Sequence, residues 1–240
     1  VTAACARAGY ALTRIPDPAN LTRTHPDLDP AFAAAYSRCA PFTATSPERM
    51  YAVWQAVLHL QSVGVEGDFV ECGVWRGGSS MLAALALAQA GEAERRLYLY
   101  DTFTGMTEPS AHDAGPDGVP VADYWEQVKR DRVDSLILSA GVEDVRANMA
   151  LTGISPERLV FVEGPVEATI PATVPARIAL LRLDTDWYES TRHELEHLWP
   201  LLAVGGVLII DDYGHWQGAR RAVDEFFDGR DDAPLLWRVD

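Results

Sequence analysis

Acidic side chains gather at two places in the second half of the chain, Asp184-Thr185-Asp186 and Asp211-Asp212. Each follows an apolar run that reads as a buried strand, Ile178 to Leu183 (IALLRL) and Val207 to Ile210 (VLII). One helical stretch separates the runs. The two strands then form a right-handed parallel crossover with both C-terminal ends on one edge, the edge that carries the ligand crevice in open α/β sheets. Asp184, Asp211 and Asp212 are therefore expected to converge. Carboxylates a few ångströms apart repel unless a cation or a proton intervenes. An all-oxygen set suits Mg2+, with waters or substrate oxygens completing the octahedron. Helix capping is the competing explanation, but four acids at two strand ends exceed what caps require.

Two other chemistries share these residues. A D-x-D at a strand end with a later D-D also marks phosphatases of the haloacid dehalogenase type. That chemistry needs a lysine and a cap insertion, whereas the stretch from Asp186 to Asp211 has no lysine and room for one helix. His193-Glu194-Leu195-Glu196-His197 matches the H-E-x-x-H pattern of zinc proteases. Leu195, Leu198, Trp199 and Leu202 form the apolar stripe that must face the sheet. Steps of ~100° per residue then place His193 and His197 on the opposite face, as surface residues. A catalytic zinc would also need a third ligand and a dry pocket.

A second group of candidates lies earlier. Glu71-Cys72-Gly73-Val74-Trp75-Arg76-Gly77-Gly78-Ser79 follows a strand and opens a helix. Its glycines allow a sharp turn and close approach of a ligand, and the helix N-terminus offers N–H groups to an anion. The spacing differs from the G-x-G-x-x-G of dinucleotide sites. A strand-end acid with looser glycines suits a ligand carrying an ammonium and a carboxylate, such as S-adenosylmethionine; a plain strand-to-helix turn is the alternative. Asp101 ends the next strand, where an acid can accept hydrogen bonds from both ribose hydroxyls or act as a turn cap. Glu163-Gly164 closes the following strand and would lie near the adenine.

The elements that must position these residues alternate. Thr45 or Ser46 can cap a helix that takes Pro47 in its first turn, with Glu48 placed for a capping box. Met50, Val53, Trp54, Val57, Leu58 and Leu60 give it one buried face. Strands are expected at 69–72, 97–100, 159–162, 178–183 and 207–210, and helices at 79–90, 142–151, 188–202 and 216–227. Apolar strands separated by helices imply an α/β fold, a mostly parallel sheet covered on both faces. Residues 1–44, broken by Pro16, Pro18, Pro26, Pro30 and Pro41, read as an N-terminal arm or cover to a domain spanning 45–240. The irregular stretch 104–121, rich in Gly, Pro, Ser and Asp, is expected to be an active-site lid.

A chain of 240 residues with 48% hydrophobic and 23% charged residues suits one large domain. Its formal net charge of −15 repels phosphate backbones, which excludes nucleic acid as a partner. Cys5, Cys39 and Cys72 show neither disulfide nor zinc-site spacing. No stretch reads as a signal peptide or a membrane span, so the expectation is a cytoplasmic protein without a membrane partner.

Taken together, several stretches resemble the macrocin O-methyltransferase family, which methylates sugar hydroxyls on macrolides and other glycosylated antibiotics. They are Thr45 to Met50, Phe69 to Ser79, Tyr100 to Met106, Val145 to Met149, Phe161 to Gly164, Leu183 to Thr191 and Gly206 to Phe226. The resemblance implies a class I methyltransferase, Rossmann-like fold with S-adenosylmethionine held among Glu71, Gly73, Ser79 and Asp101. It implies Mg2+ on Asp184, Asp211 and Asp212, with Asp186 as the base that takes the hydroxyl proton. His215, on the same edge, would touch substrate or serve as a second base, or be structural. Thr45, Ser46 and Arg49 would approach the methionine carboxylate, and helix capping explains the first two equally well. The substrate implied is a glycosylated small molecule and the assembly a homo-oligomer. A catechol acceptor, a non-catalytic S-adenosylmethionine binder and, more remotely, a nicotinamide-dependent dehydrogenase are the alternatives.

Overall fold

The computed structural model describes Leu21, residues 25–130 and residues 139–240; Cys5, Lys129's side chain and most of the expected N-terminal arm lie outside the described residues. After helix α1 (Pro30–Cys39) come α2 (Pro47–Ser62), β1 (Asp68–Cys72), α3 (Gly78–Gln89), β2 (Leu97–Asp101) and α4 (Ala122–Arg130). Then follow α5 (Val142–Ala150), β3 (Leu159–Glu163), the single turn α6 (Val166–Thr169), β4 (Ile178–Leu183), α7 (Tyr188–Leu198), β5 (Leu202–Ile210) and α8 (Gln217–Phe227). The strands pair in the order β3-β2-β1-β4-β5, every neighbour parallel. The order reverses between β1 and β4, the switch point at which doubly wound sheets bind ligands.

Strand alternation divides the core in two. Phe69, Leu99 and Leu180 point to one face, packed with Phe32, Tyr36, Trp54 and Leu82 from α1, α2 and α3. Val70, Cys72, Leu181 and Leu183 point to the other, against Leu195, Leu198 and Val223 from α7 and α8. Helix α3 buries nine of its twelve residues because small alanines let it lie close to the sheet. Burial of each large apolar side chain contributes about 1.5–3 kcal/mol.

Four local expectations change. Helix α7 stops at Leu198 and a 3-10 turn covers Trp199–Leu201. Pro200 lacks the N–H that would continue the helix, so Leu202 begins β5 rather than ending the helical stripe. Strand β5 is thereby longer than its apolar run. Ser46, not Thr45, is the N-cap of α2, accepting from Arg49 N at 3.2 Å. Glu48 thus falls one position short of the capping-box site and pairs with His25 Nε2 at 3.1 Å instead. Helix α4 lies just beyond the loop 104–121 and had no counterpart in the sequence pattern. No helix among the described residues is long and apolar enough to cross a membrane.

Candidate active site

The C-terminal ends of β1, β4 and β5 place Glu71, Asp184 and Asp211 around one buried cation, Arg182, with Asp212 beside Asp184 and Asp211. Its Nη1 donates to Glu71 Oε1 at 2.8 Å and to Asp184 Oδ2 at 2.7 Å, and its Nη2 to Asp211 Oδ1 at 2.7 Å. Arg182 is directly opposite Glu71 in the β1–β4 register. Both point to the face shared with α2 and α3, where alternation would otherwise put an apolar residue. In the sequence, Arg182 is marked only by being a lone charge within IALLRL. Arg49, on α2, adds a second guanidinium: Nη1 reaches Asp211 Oδ2 at 3.0 Å and Nε reaches Asp240 Oδ2 at 2.8 Å.

One carboxylate oxygen from each of Asp184, Asp211 and Asp212 falls within 4.8 Å of the others. The electrostatics of the three differ. Burial pushes Asp211 up, but Arg182 and Arg49 outweigh it and hold the carboxyl below its usual range. Asp184 is driven well above that range, chiefly by burial and despite Arg182, with Asp211 and Asp186 adding repulsion. Burial and then repulsion from Asp186, Asp184 and Asp211 raise Asp212 in the same way. Burial also raises Glu71 over the opposing pull of Arg182 and Ser80. Two guanidinium groups thus face five carboxyl groups, counting Asp186. An added cation would relieve the excess, so the donor set fits a divalent ion such as Mg2+.

Asp186 sits in the left-handed region at φ 68°, rare for a residue with a side chain. Its backbone N–H donates to Asp212 Oδ2 at 3.1 Å, and its Oδ1 accepts from the Trp216 indole at 2.6 Å. Burial lifts the Asp186 carboxyl to about 7, opposed by the Trp216 hydrogen bond and reinforced by Asp211. A carboxylate so tuned is suited to proton abstraction near neutral pH. His215 lies against Trp216 with ring centroids 4.8 Å apart, and burial, aided by Arg49, lowers its imidazole.

Two clefts meet here. The first lies at the ends of β1, β2 and β3 and is lined by Gly73, Tyr100, Asp101, Gly105, Met106 and Gly164, among others. The second is lined by Thr45, Arg49, Glu71, Ser79, Asp211, Asp212, His215 and Trp216. Trp75, Asp184 and Asp186 belong to both. Gly73 is constrained twice. Its φ is 82°, and a Cβ there would stand 1.9 Å from the Asp184 carbonyl oxygen. The β1 and β4 ends can approach this closely only at a glycine. Buried Thr45 Oγ1 lacks a hydrogen-bond partner beside the second cleft, a vacancy that a ligand carboxylate suits.

Other expected residues have further partners. Asp101 lines the first cleft, where its Oδ2 accepts from Val74 N at 2.7 Å and Trp75 N at 2.9 Å, and its Oδ1 from Phe103 N at 2.8 Å. These bonds also shape the loop after β1. Ser46 Oγ, besides capping α2, donates to Asp240 Oδ2 at 2.9 Å. Glu163 is exposed and outside both linings, where Gly164 stands instead. Gly105, Met106 and Thr107 of the loop 104–121 line the first cleft, and Asp113, 1% exposed, pins the loop. Asp113 accepts from Tyr188 N at 2.8 Å, and a Cβ on Gly218 would collide with its Oδ1 at 2.0 Å. His193 and His197 are half-buried rather than solvent-facing. Their rings lie 4.2 Å apart, with His193 Nε2 on the Ile170 carbonyl and His197 Nδ1 on the His193 carbonyl. The pair is structural, packed over the turn after α6.

Residues 25–240 match the macrocin O-methyltransferase (TylF) family. The 8-demethyl-8-(2,3-dimethoxy-alpha-L-rhamnosyl)-tetracenomycin-C 4'-O-methyltransferase of Streptomyces olivaceus is 35% identical over 188 residues. That alignment covers 78% of this chain and 69% of the relative. The demethyldecarbamoylnovobiocin O-methyltransferase of Streptomyces niveus is 33% identical, covering 80% and 70%. Among solved structures, that of the O-methyltransferase NovP superposes with a TM-score of 0.72 at 30% identity, covering 83% of this chain and 78% of that one.

Proposed function

The chain belongs to the macrocin O-methyltransferase family, and from that premise we propose that it methylates a sugar hydroxyl of a glycosylated natural product with the help of a divalent cation. Its fold is that of class I methyltransferases and its activity is S-adenosylmethionine-dependent O-methyl transfer. The rhamnosyl group named for the Streptomyces olivaceus relative supports a sugar as acceptor. The observation that carries the reading is the meeting of the two clefts at Asp184 and Asp186. A methyl donor with its adenosine in the first cleft and its amino-acid end reaching into the second would meet an acceptor held in the second cleft beside the acids.

The cofactor brings an electrophilic methyl on sulfur, and a cation on Asp184, Asp211 and Asp212 would lower the pKa of an acceptor hydroxyl. The remaining work falls to the chain. Gly73 and the N-terminus of α3 give the donor's amino-acid end close backbone approach, with Thr45 Oγ1, Ser79 and Glu71 lining that end of the second cleft. Asp186 takes the hydroxyl proton, poised by burial and held by the Trp216 indole so that it does not turn away. Arg182 keeps Glu71, Asp184 and Asp211 assembled before any ion arrives. Alignment of the two reactants supplies much of the remaining rate.

The test is release of S-adenosylhomocysteine with and without Mg2+ across glycosylated macrolides and polyketides, nucleotide sugars and simple catechols. Turnover of a glycosylated acceptor that stops on chelation is expected. Turnover of catechols alone would overturn the acceptor, undiminished turnover after chelation would overturn the cation, and silence despite tight cofactor binding would leave a binding protein.

A further inference from the structure

The H-E-x-x-H segment contributes no metal site, yet its first acid is among the most buried polar residues of the molecule. Glu194 is 0% exposed. It sits on the face of α7 that packs on the sheet, between buried Thr191, Leu195 and Leu198. Its Oε2 accepts a hydrogen bond from Thr185 Oγ1 at 3.2 Å. Its Oε1 has no hydrogen-bond partner of normal geometry, and the weakly polar Cys72 thiol at the end of β1 interacts with the same carboxyl group. No basic side chain among the described residues pairs with it. A carboxylate sealed in this way cannot remain charged without a large desolvation cost, and burial accordingly drives its carboxyl well above the usual range.

Thr185 is the middle residue of Asp184-Thr185-Asp186. The backbone must send Asp184 toward Arg182 and turn Asp186 into the left-handed region toward Trp216. A residue with a side chain is strained there and persists only where its surroundings over-determine it. Two restraints on the turn are already evident: the Asp186 N–H on Asp212, and the Trp187 N–H on the Thr185 carbonyl at 2.8 Å. The Thr185 hydroxyl provides a third, and Glu194 anchors it from below.

We propose that Glu194 is a positioning residue, a buried acid whose hydrogen bond to Thr185 holds the Asp184–Asp186 turn in the geometry that presents Asp186 to the acceptor. The inference rests on Asp186 acting in methyl transfer. A merely structural acid would be replaceable by any side chain that fills its space, whereas a positioning acid requires an oxygen facing Thr185. Glu194→Gln keeps that oxygen and the neutral state; Glu194→Leu keeps the bulk and removes the oxygen; Thr185→Val removes the hydroxyl from the other side.

The experiment compares these three variants and the Leu/Val double variant in methyl-transfer rate at saturating substrates, KM for acceptor and urea stability. Glu194→Gln is expected to turn over within about twofold of the parent. Glu194→Leu and Thr185→Val should each lose roughly tenfold or more in kcat with KM nearly unchanged, the mark of an interaction that matters in the transition state. The double variant should lose no more than the worse single one, because one bond is removed in either case. The stability cycle needs no acceptor and tests the bond by itself: a coupling of roughly fivefold in the unfolding constant is expected for one buried hydrogen bond. Additive losses in stability would remove the bond and the proposal with it. A coupled pair with unaltered kcat in Glu194→Leu, or a Gln variant as slow as the Leu variant, would also overturn the positioning role. Absence of turnover in the parent, with the stability coupling intact, would count against methyl transfer to the tested acceptors and not against the bond.

Discussion

Replacing Arg182 by methionine removes the one cation that touches three carboxylates at once, while keeping most of the side chain's length and apolar volume. The cost follows from what is stranded. Arg182 has a side-chain exposure of 5%, Glu71 8% and Asp211 10%. Breaking a buried pair by deleting one partner costs about 3–5 kcal/mol, because the other charge stays behind uncompensated. Two features moderate that figure here. Asp184 retains 31% side-chain exposure, so solvent screens it. Asp211 keeps Arg49 at 3.0 Å. Glu71 has no such reserve, and its remaining partner is the Ser80 hydroxyl. A loss of about 3–4 kcal/mol is expected, which lowers the urea midpoint by roughly 1 M at a slope of about 3 kcal/mol per molar and the melting temperature by roughly 6–16 °C. The loss must also depend on pH. Without Arg182, the folded-state values of Glu71 and Asp184 rise further above their unfolded values. Stability is then retained below the ordinary carboxylate range, and it falls as pH climbs through the raised values. The assay is urea unfolding of parent and Arg182→Met in chelator at pH 5 and pH 8. A gap between them that widens at pH 8 is expected. A variant as stable as the parent at pH 8, or a gap that is the same at both values, would refute the account of Arg182 as the internal counter-ion.

Asp186→Asn should lose about 10²–10⁴ in kcat while binding Mn2+ within a few-fold of the parent by electron paramagnetic resonance; normal turnover would remove the base role. Gly73→Ala places a methyl where the Asp184 carbonyl oxygen lies, so a destabilisation of about 1–3 kcal/mol with weakened cofactor binding by calorimetry is expected, and full affinity would show that the β1 and β4 ends separate without penalty. In chelated parent protein, the share of stability from Asp186 is fully present below its unfolded value of about 4 and is lost as pH rises through its folded value of about 7. Mg2+ should therefore raise the melting temperature more at pH 7.5 than at pH 5 by thermal shift, and an equal rise at both would contradict it. His193→Gln/His197→Gln should turn over at the parent rate with no zinc requirement, and loss of turnover restored by zinc would revive the protease-like motif.

The sequence alone determined the alternation of strands and helices, the class of fold and the positions of Glu71, Gly73, Asp184, Asp186, Asp211 and Asp212 at strand ends. These features are written in local periodicity and in the order of elements, which short-range sterics and burial enforce. Helix α7 and strand β5 were misplaced only at their junction, where Pro200 outweighed the apolar stripe. What the tertiary structure decided was the partner of each charge. Glu71 and Arg182 are 111 residues apart and meet because β1 and β4 pair in one register rather than another. A slip of one residue would turn Arg182 to the opposite face. Asp101 accepts from the N–H groups of Val74 and Trp75, and Glu194, masked by two conspicuous histidines, turns into the core. Charges act through space over a few ångströms and carry no periodicity along the chain, so only the folded register reveals which of them meet.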